Sequence, residues 1–124
     1  MKPMHFVCLV YFDPANVFDR SPEAEEVLGA TGAYNQALAA SGKLVLTEAL
    51  QLPEAAVTVC MRDGKTLTTD GPFMETKEIL GGIVIVAARD REEAVELAAA
   101  IPLAKLGRIE VRPVVDFSRP RPTR

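Results

Sequence analysis

The run "ILGGIVIVAA", Ile79–Ala88, decides how this chain folds. None of its side chains is polar, and isoleucine and valine dominate it. A strand with one wet face alternates apolar and polar residues; this one does not, which predicts a strand covered on both faces. The stretch "HFVCLVYF", residues 5–12, reads the same way, with nothing polar between His5 and Tyr11. Gly81 and Gly82 allow a bulge or a close backbone approach inside the first run. Two such strands belong in the middle of a sheet.

The remaining elements arrange themselves around this pair. Ser21-Pro22 predicts a helix start, with serine as cap and proline at the first helical position. Glu23, Glu25 and Glu26 follow, where carboxylates favour a helix N-terminus. Ala24, Val27, Leu28, Tyr34 and Leu38 fall near one helical face, Gly29 and Gly32 invite a kink, and Gly42 supplies a stop. "KLVLTEAL", residues 43–50, reads as a second strand. "AVTVCMRDGKTLTT", residues 56–69, reads as a hairpin turning at Asp63-Gly64. Asp90 opens a capping box, and Ala94, Leu97, Ala98 and Ile101 give helical spacing up to Pro102. In "GRIEVRPVVDF", residues 107–117, Ile109 and Val111 alternate with Arg108, Glu110 and Arg112.

The order strand–helix–strand–(hairpin)–strand–helix–strand is that of an α+β, ferredoxin-like βαββαβ unit with an inserted β-hairpin. Its first and third core strands are central, and both helices pack on one face. One chain has no element left for the other face, so a second copy packed sheet against sheet, a homodimer, is expected. Arg108, Glu110 and Arg112 would then point to that side.

Composition bounds the function. The 124 residues are 48% hydrophobic and 25% charged, which fits one globular domain and excludes a disordered chain. We expect that domain to span residues 1–117, followed by a basic Pro/Arg-rich tail at 118–124 that is disordered. Without the tail's three arginines, 11 basic residues face 17 acidic ones. Such an acidic body disfavours direct nucleic-acid binding. No apolar run approaches the ~20 residues of a membrane span, and no export signal is seen, so a cytoplasmic location and no membrane partner are expected. Cys8 and Cys60 sit in apolar strand runs as small hydrophobes. The lone histidine predicts no metal site. Phosphate-loop, dinucleotide and nucleophile-elbow motifs are absent, so no cofactor is expected.

Chemistry concentrates in "DGPFMETKE", residues 70–78. Asp70, Gly71 and Pro72 supply turn geometry, and Phe73 reads as an apolar anchor into the core. An extended segment would put Glu75 and Lys77 on one face, whereas one helical turn from Pro72 would stack Glu75 on Glu78. Two stacked carboxylates could share a proton and act as acid and base, whereas a plain Glu–Lys surface pair would do little. Asp70, Glu75 and Glu78 are therefore the catalytic candidates, with His5 as a further acid/base group. Tyr11, Lys77 and Arg112 are the candidate ligand-binding groups. Tyr11 shares a strand face with His5, Val7 and Leu9, and Arg112 could meet Glu75, Asp70 or an anion.

The stretch "TVCMRDGKTLTTDGPFMETKEILGGIVIV", with "EEAVELAAAIP" and "GRIEVRPV", resembles the DGPF-domain branch of the YCII-related proteins. The likeness runs over residues 1–116, with D-G-P-F-x-E-x-K-E and the terminal E-V-R-P both present. It implies the dimeric α+β barrel form of the ferredoxin-like fold. Relatives in that superfamily include isomerases, dehydrochlorinases and monooxygenases of small organic molecules. The wider group suggests a histidine–aspartate pair in a pocket; here the single histidine is His5, and Asp70 is the acidic residue that the motif matches. Members of the branch are often encoded beside extracytoplasmic-function sigma factors.

Three readings follow. The chain is a small-molecule enzyme with a pocket between helices and sheet, a ligand-sensing module linked to such a sigma factor, or a purely structural dimer. A pocket holding two of Asp70, Glu75, His5 and Arg112 favours the first. An apolar pocket favours the second, and a motif lying flat with every charge paired favours the third.

Overall fold

The computed structural model describes residues 3–118. All but the first residue of the basic tail therefore lies outside the described residues. Four strands, β1 (Met4–Phe12), β2 (Leu44–Ala49), β5 (Ile79–Ala88) and β6 (Gly107–Pro113), form an antiparallel sheet in the order β2-β5-β1-β6. The two runs without polar interruption thus occupy the two central places. A separate two-stranded hairpin, β3 (Val57–Arg62) and β4 (Lys65–Asp70), is inserted between β2 and β5. The architecture is α+β, as the element order predicts.

Helix α2 (Pro22–Ala40) is capped by Ser21, whose Oγ accepts from the Ala24 N–H at 3.2 Å. It runs unbroken through Gly29 and Gly32. Buried Ala24, Val27 and Leu38 on one face supply enough packing to outweigh two poor helix formers. Helix α3 (Arg91–Ala99) is capped by Asp90, which accepts from the Glu93 N–H at 2.9 Å, while Glu93 reaches back to the Arg89 N–H. A short helical turn, α1 (Pro14–Val17), stands where loop residues were expected; Asp13 caps it by accepting from the Ala15 N–H.

Both long helices lie on one face of the sheet. There Phe6, Cys8, Val10 and Phe12 of β1 meet Val84, Val86 and Ala88 of β5, with Ala94, Ala98, Ile101 and Leu103 above them. Each fully buried valine, isoleucine, leucine or phenylalanine among them contributes ~1.5–3 kcal/mol. Tyr34 joins the helices by donating its hydroxyl to the Leu97 carbonyl at 2.7 Å. The bulge allowed by the glycine pair is present: Val10 pairs with Gly82 and Tyr11 with Leu80, leaving Gly81 between them. A Cβ at Gly81 would collide with the Phe12 ring.

The opposite face carries no helix. Val7, Leu9 and Tyr11 of β1 line up there with Ile85, Ile83 and Leu80 of β5. On the flanking strand, Arg112, Glu110 and Arg108 stand opposite Val7, Leu9 and Tyr11, on the face expected for them. The middle of this face is apolar, its β6 edge is charged, and no other element among the described residues covers it.

Candidate functional site

The segment between β4 and β5 follows from its ends. At β4's end Asp70 pairs with Val57 across the hairpin. Gly71 then turns with φ of 99°, a left-handed value that favours glycine. Its N–H donates to the Ala56 carbonyl at 2.7 Å, and its own carbonyl accepts from the Thr58 hydroxyl at 2.9 Å. The turn is therefore tied to the base of the hairpin. Phe73 does not anchor it, for its side chain is 83% exposed and Met74 is also exposed. Both side chains line the mouth of an apolar cleft and do not enter the core.

Residues 71–78 are bends and coil, neither a strand nor a helical turn, so Glu75 and Glu78 are not stacked as a one-turn helix would stack them. Glu78 instead points to β6, where its carboxylate meets Arg108 Nε at 3.1 Å. Lys77 lies 4.0 Å from Asp13 and is almost fully exposed. Thr76 closes the segment by donating its hydroxyl to the Glu78 carbonyl at 2.5 Å. Distant partners at Asp13, Ala56 and Arg108 thus dictate the loop's path, and no local periodicity could reveal them.

Two adjoining clefts flank this loop. The larger, about 770 Å³, is lined by Tyr11, Leu80, Leu50, Leu52, Phe73 and Met74, with Gln51 and Thr76 as polar neighbours. It sits where the loop meets the end of the uncovered sheet face, since Tyr11 and Leu80 belong to both. The second, about 560 Å³, is bordered by Glu54, Asp70, Glu75 and Lys77, with Pro14 and Met74. Asp70 and Glu75 therefore border one recess, and Tyr11 stands in its neighbour.

The other two candidates are elsewhere. His5 is the second residue of β1, at the opposite end, ~20 Å of strand from Tyr11. It is exposed, in a recess of about 330 Å³ that it shares with Met4, Val114, Val115, Asp116 and Phe117. Arg112 pairs with Glu110 of its own strand at 3.8 Å. Among the described residues no three His, Cys, Asp or Glu side chains gather closely enough to hold a metal ion. No helix among them is long and apolar enough to cross a membrane.

Sequence reasoning overlooked Leu50, Gln51 and Leu52, which wall the larger cleft. Their signal was available: Leu50 closes the expected second strand, and Leu52 follows it outside any helical or strand period. A family model for the YCII-related domain matches residues 4–118. An uncharacterized protein of Rhizobium meliloti (strain 1021) is 32% identical over 117 residues, covering 92% of this chain and 94% of the relative.

Proposed function

The chain belongs to the YCII-related domain family, and on that premise we propose that it is a homodimeric module binding a small, largely apolar organic molecule. The observation that carries this reading is the 770 Å³ cleft at the end of the uncovered sheet face. Its volume lies in the range of ligand pockets, which bury most of a small molecule among apolar walls and few polar groups. Tyr11 is the polar handle: its ring packs in the apolar wall, and its hydroxyl can orient an oxygen or nitrogen of the ligand. A second copy laid over Val7, Leu9, Ile83 and Ile85 would roof the same cleft, so dimerisation and binding support each other.

Catalysis is the second reading, favoured by Asp70 and Glu75 bordering the adjoining recess. A carboxylate there could take a proton from a ligand held by Tyr11. The apolar lining of the larger cleft, and the engagement of Glu78 by Arg108, put binding first.

The test combines mass and ligand. Sedimentation is expected to give twice the chain mass, and Ile83→Lys to give the single-chain mass. A panel of small aromatic and alicyclic molecules, read by ligand-observed NMR, is expected to include binders that Leu80→Trp abolishes. A monomeric wild-type protein, or binders indifferent to Leu80→Trp, would overturn the reading. Loss of turnover in Glu75→Ala, with binding retained, would move catalysis to first place.

A further inference from the structure

The Glu78–Arg108 ion pair stands at the edge of the larger cleft. On the uncovered sheet face Tyr11 has a neighbour on each side: Leu80 of β5, which lines the cleft with it, and Arg108 of β6. Opposed side chains of adjacent strands start ~5 Å apart at Cβ, so the Arg108 stem begins beside Tyr11. Its far end is held by Glu78, whose carboxylate lies 3.1 Å from Nε. Thr76 and Ile79, before and after Glu78 in the chain, both line the cleft. The guanidinium therefore sits at the cleft's rim, one position outward from its wall.

The two halves of the pair differ in access. The Arg108 side chain is 80% exposed and that of Glu78 38%, so a molecule arriving from solvent meets the cation first. A single carboxylate cannot satisfy every N–H of a guanidinium fork, and no second chain acceptor engages Arg108's side chain among the described residues. An exposed ion pair is also weakly held, which leaves the arginine able to exchange partners. The Tyr11 hydroxyl supplies one more donor on the same face. Across the loop, Glu54, Asp70 and Glu75 border the adjoining recess, with Lys77 the one cation there. Their field opposes a second negative charge on anything bound nearby.

We propose that the larger cleft takes a monoanion: an apolar body carrying one carboxylate, which lies across the Arg108 guanidinium beside the Tyr11 hydroxyl. Glu78 is then a competitor that keeps the guanidinium in place and yields part of it when the ligand arrives. The carboxylate requirement rests on the binding role proposed above for this cleft, and adds to it the ligand's charge and the residue that reads it.

Two probes of equal size separate charge from shape: cyclohexanecarboxylate and cyclohexanecarboxamide. Each is titrated near neutral pH into the isotope-labelled full chain and followed by backbone amide shifts. The carboxylate is expected to move amides of residues 50–53 and 72–80, and to bind at least about fivefold tighter than the carboxamide. Arg108→Gln is expected to bring that ratio below about twofold while carboxamide binding persists. Glu78→Gln, which removes the competitor, is expected to tighten carboxylate binding roughly twofold to fivefold and to leave the carboxamide unchanged. An ion pair that only fixes the loop would move neither affinity. Equal affinities of the two probes in the wild-type protein overturn the carboxylate requirement and leave the cleft as a binding site. A preference that survives Arg108→Gln overturns the role given to that residue. If neither probe saturates while other molecules of the panel bind, the carboxylate requirement falls alone; if nothing in the panel binds, the binding role falls with it.

Discussion

Gly81 shows how much one missing side chain can organise. The bulge there lets Tyr11 and Leu80 reach the larger cleft while Phe12 stays in the core. Gly81→Ala would drive a methyl group into the Phe12 ring and is expected to cost roughly 1–3 kcal/mol, as overpacking does. A denaturant midpoint within error of wild type would show that the ring can move aside. The two thiols offer a second test at this scale. Burial pushes the Cys8 thiol up to about 11, so at neutral pH it is protonated as well as enclosed. Cys60 is only half-buried on the hairpin. Native protein is therefore expected to give one labelled thiol per chain with a thiolate-specific reagent, and two after unfolding; two in the native state would contradict the burial of Cys8. The glycine pair announced a bulge from sequence, but which glycine would bulge depended on a phenylalanine 69 positions earlier.

Elements divide by how locally their causes act. The hairpin was legible because its signal is contained in Asp63-Gly64, both in left-handed conformation, with φ of 50° and 75°. The capped helices were legible for the same reason. The loop at 70–78 was not, since a backbone bond to Ala56 and an ion pair to Arg108 decide it. Within the described chain the hairpin has no third strand, and Val57, Val59 and Met61 stand exposed on one of its faces. Two-stranded ribbons are marginal in isolation. Amide exchange is therefore expected to be fastest in β3 and β4 and slowest in β1 and β5, by several orders of magnitude at neutral pH. Equal protection would mean that another surface covers the hairpin.

For the whole molecule, fold class followed from two apolar runs and the order of elements, whereas the clefts did not, because each gathers residues from three or more segments. Acid stability also belongs to this scale. Asp19 is held below the usual carboxylate range chiefly by the Ser21 backbone N–H, and Glu93 chiefly by the Arg89 backbone N–H, aided by Lys43 and Arg89. Groups depressed in this way favour folding above their unfolded pKa, near ~4, and lose that contribution as pH falls through the folded value. The melting temperature is thus expected to decline on acidification below about pH 4. Glu93→Gln is expected to show a shallower decline; parallel curves would remove Glu93 from the account.

The placement of β1 has a further consequence, in time. Among the described residues its partners are β5 and β6, which come from the second half of the chain. During synthesis the first strand emerges with both edges unpaired and stays so until residues 79–113 follow. Most of this domain must be made before β1 finds a neighbour. Long-range pairing of this kind slows folding and leaves sticky edges exposed meanwhile. For this protein the vulnerable period falls in the nascent chain, before the sheet that protects it has closed.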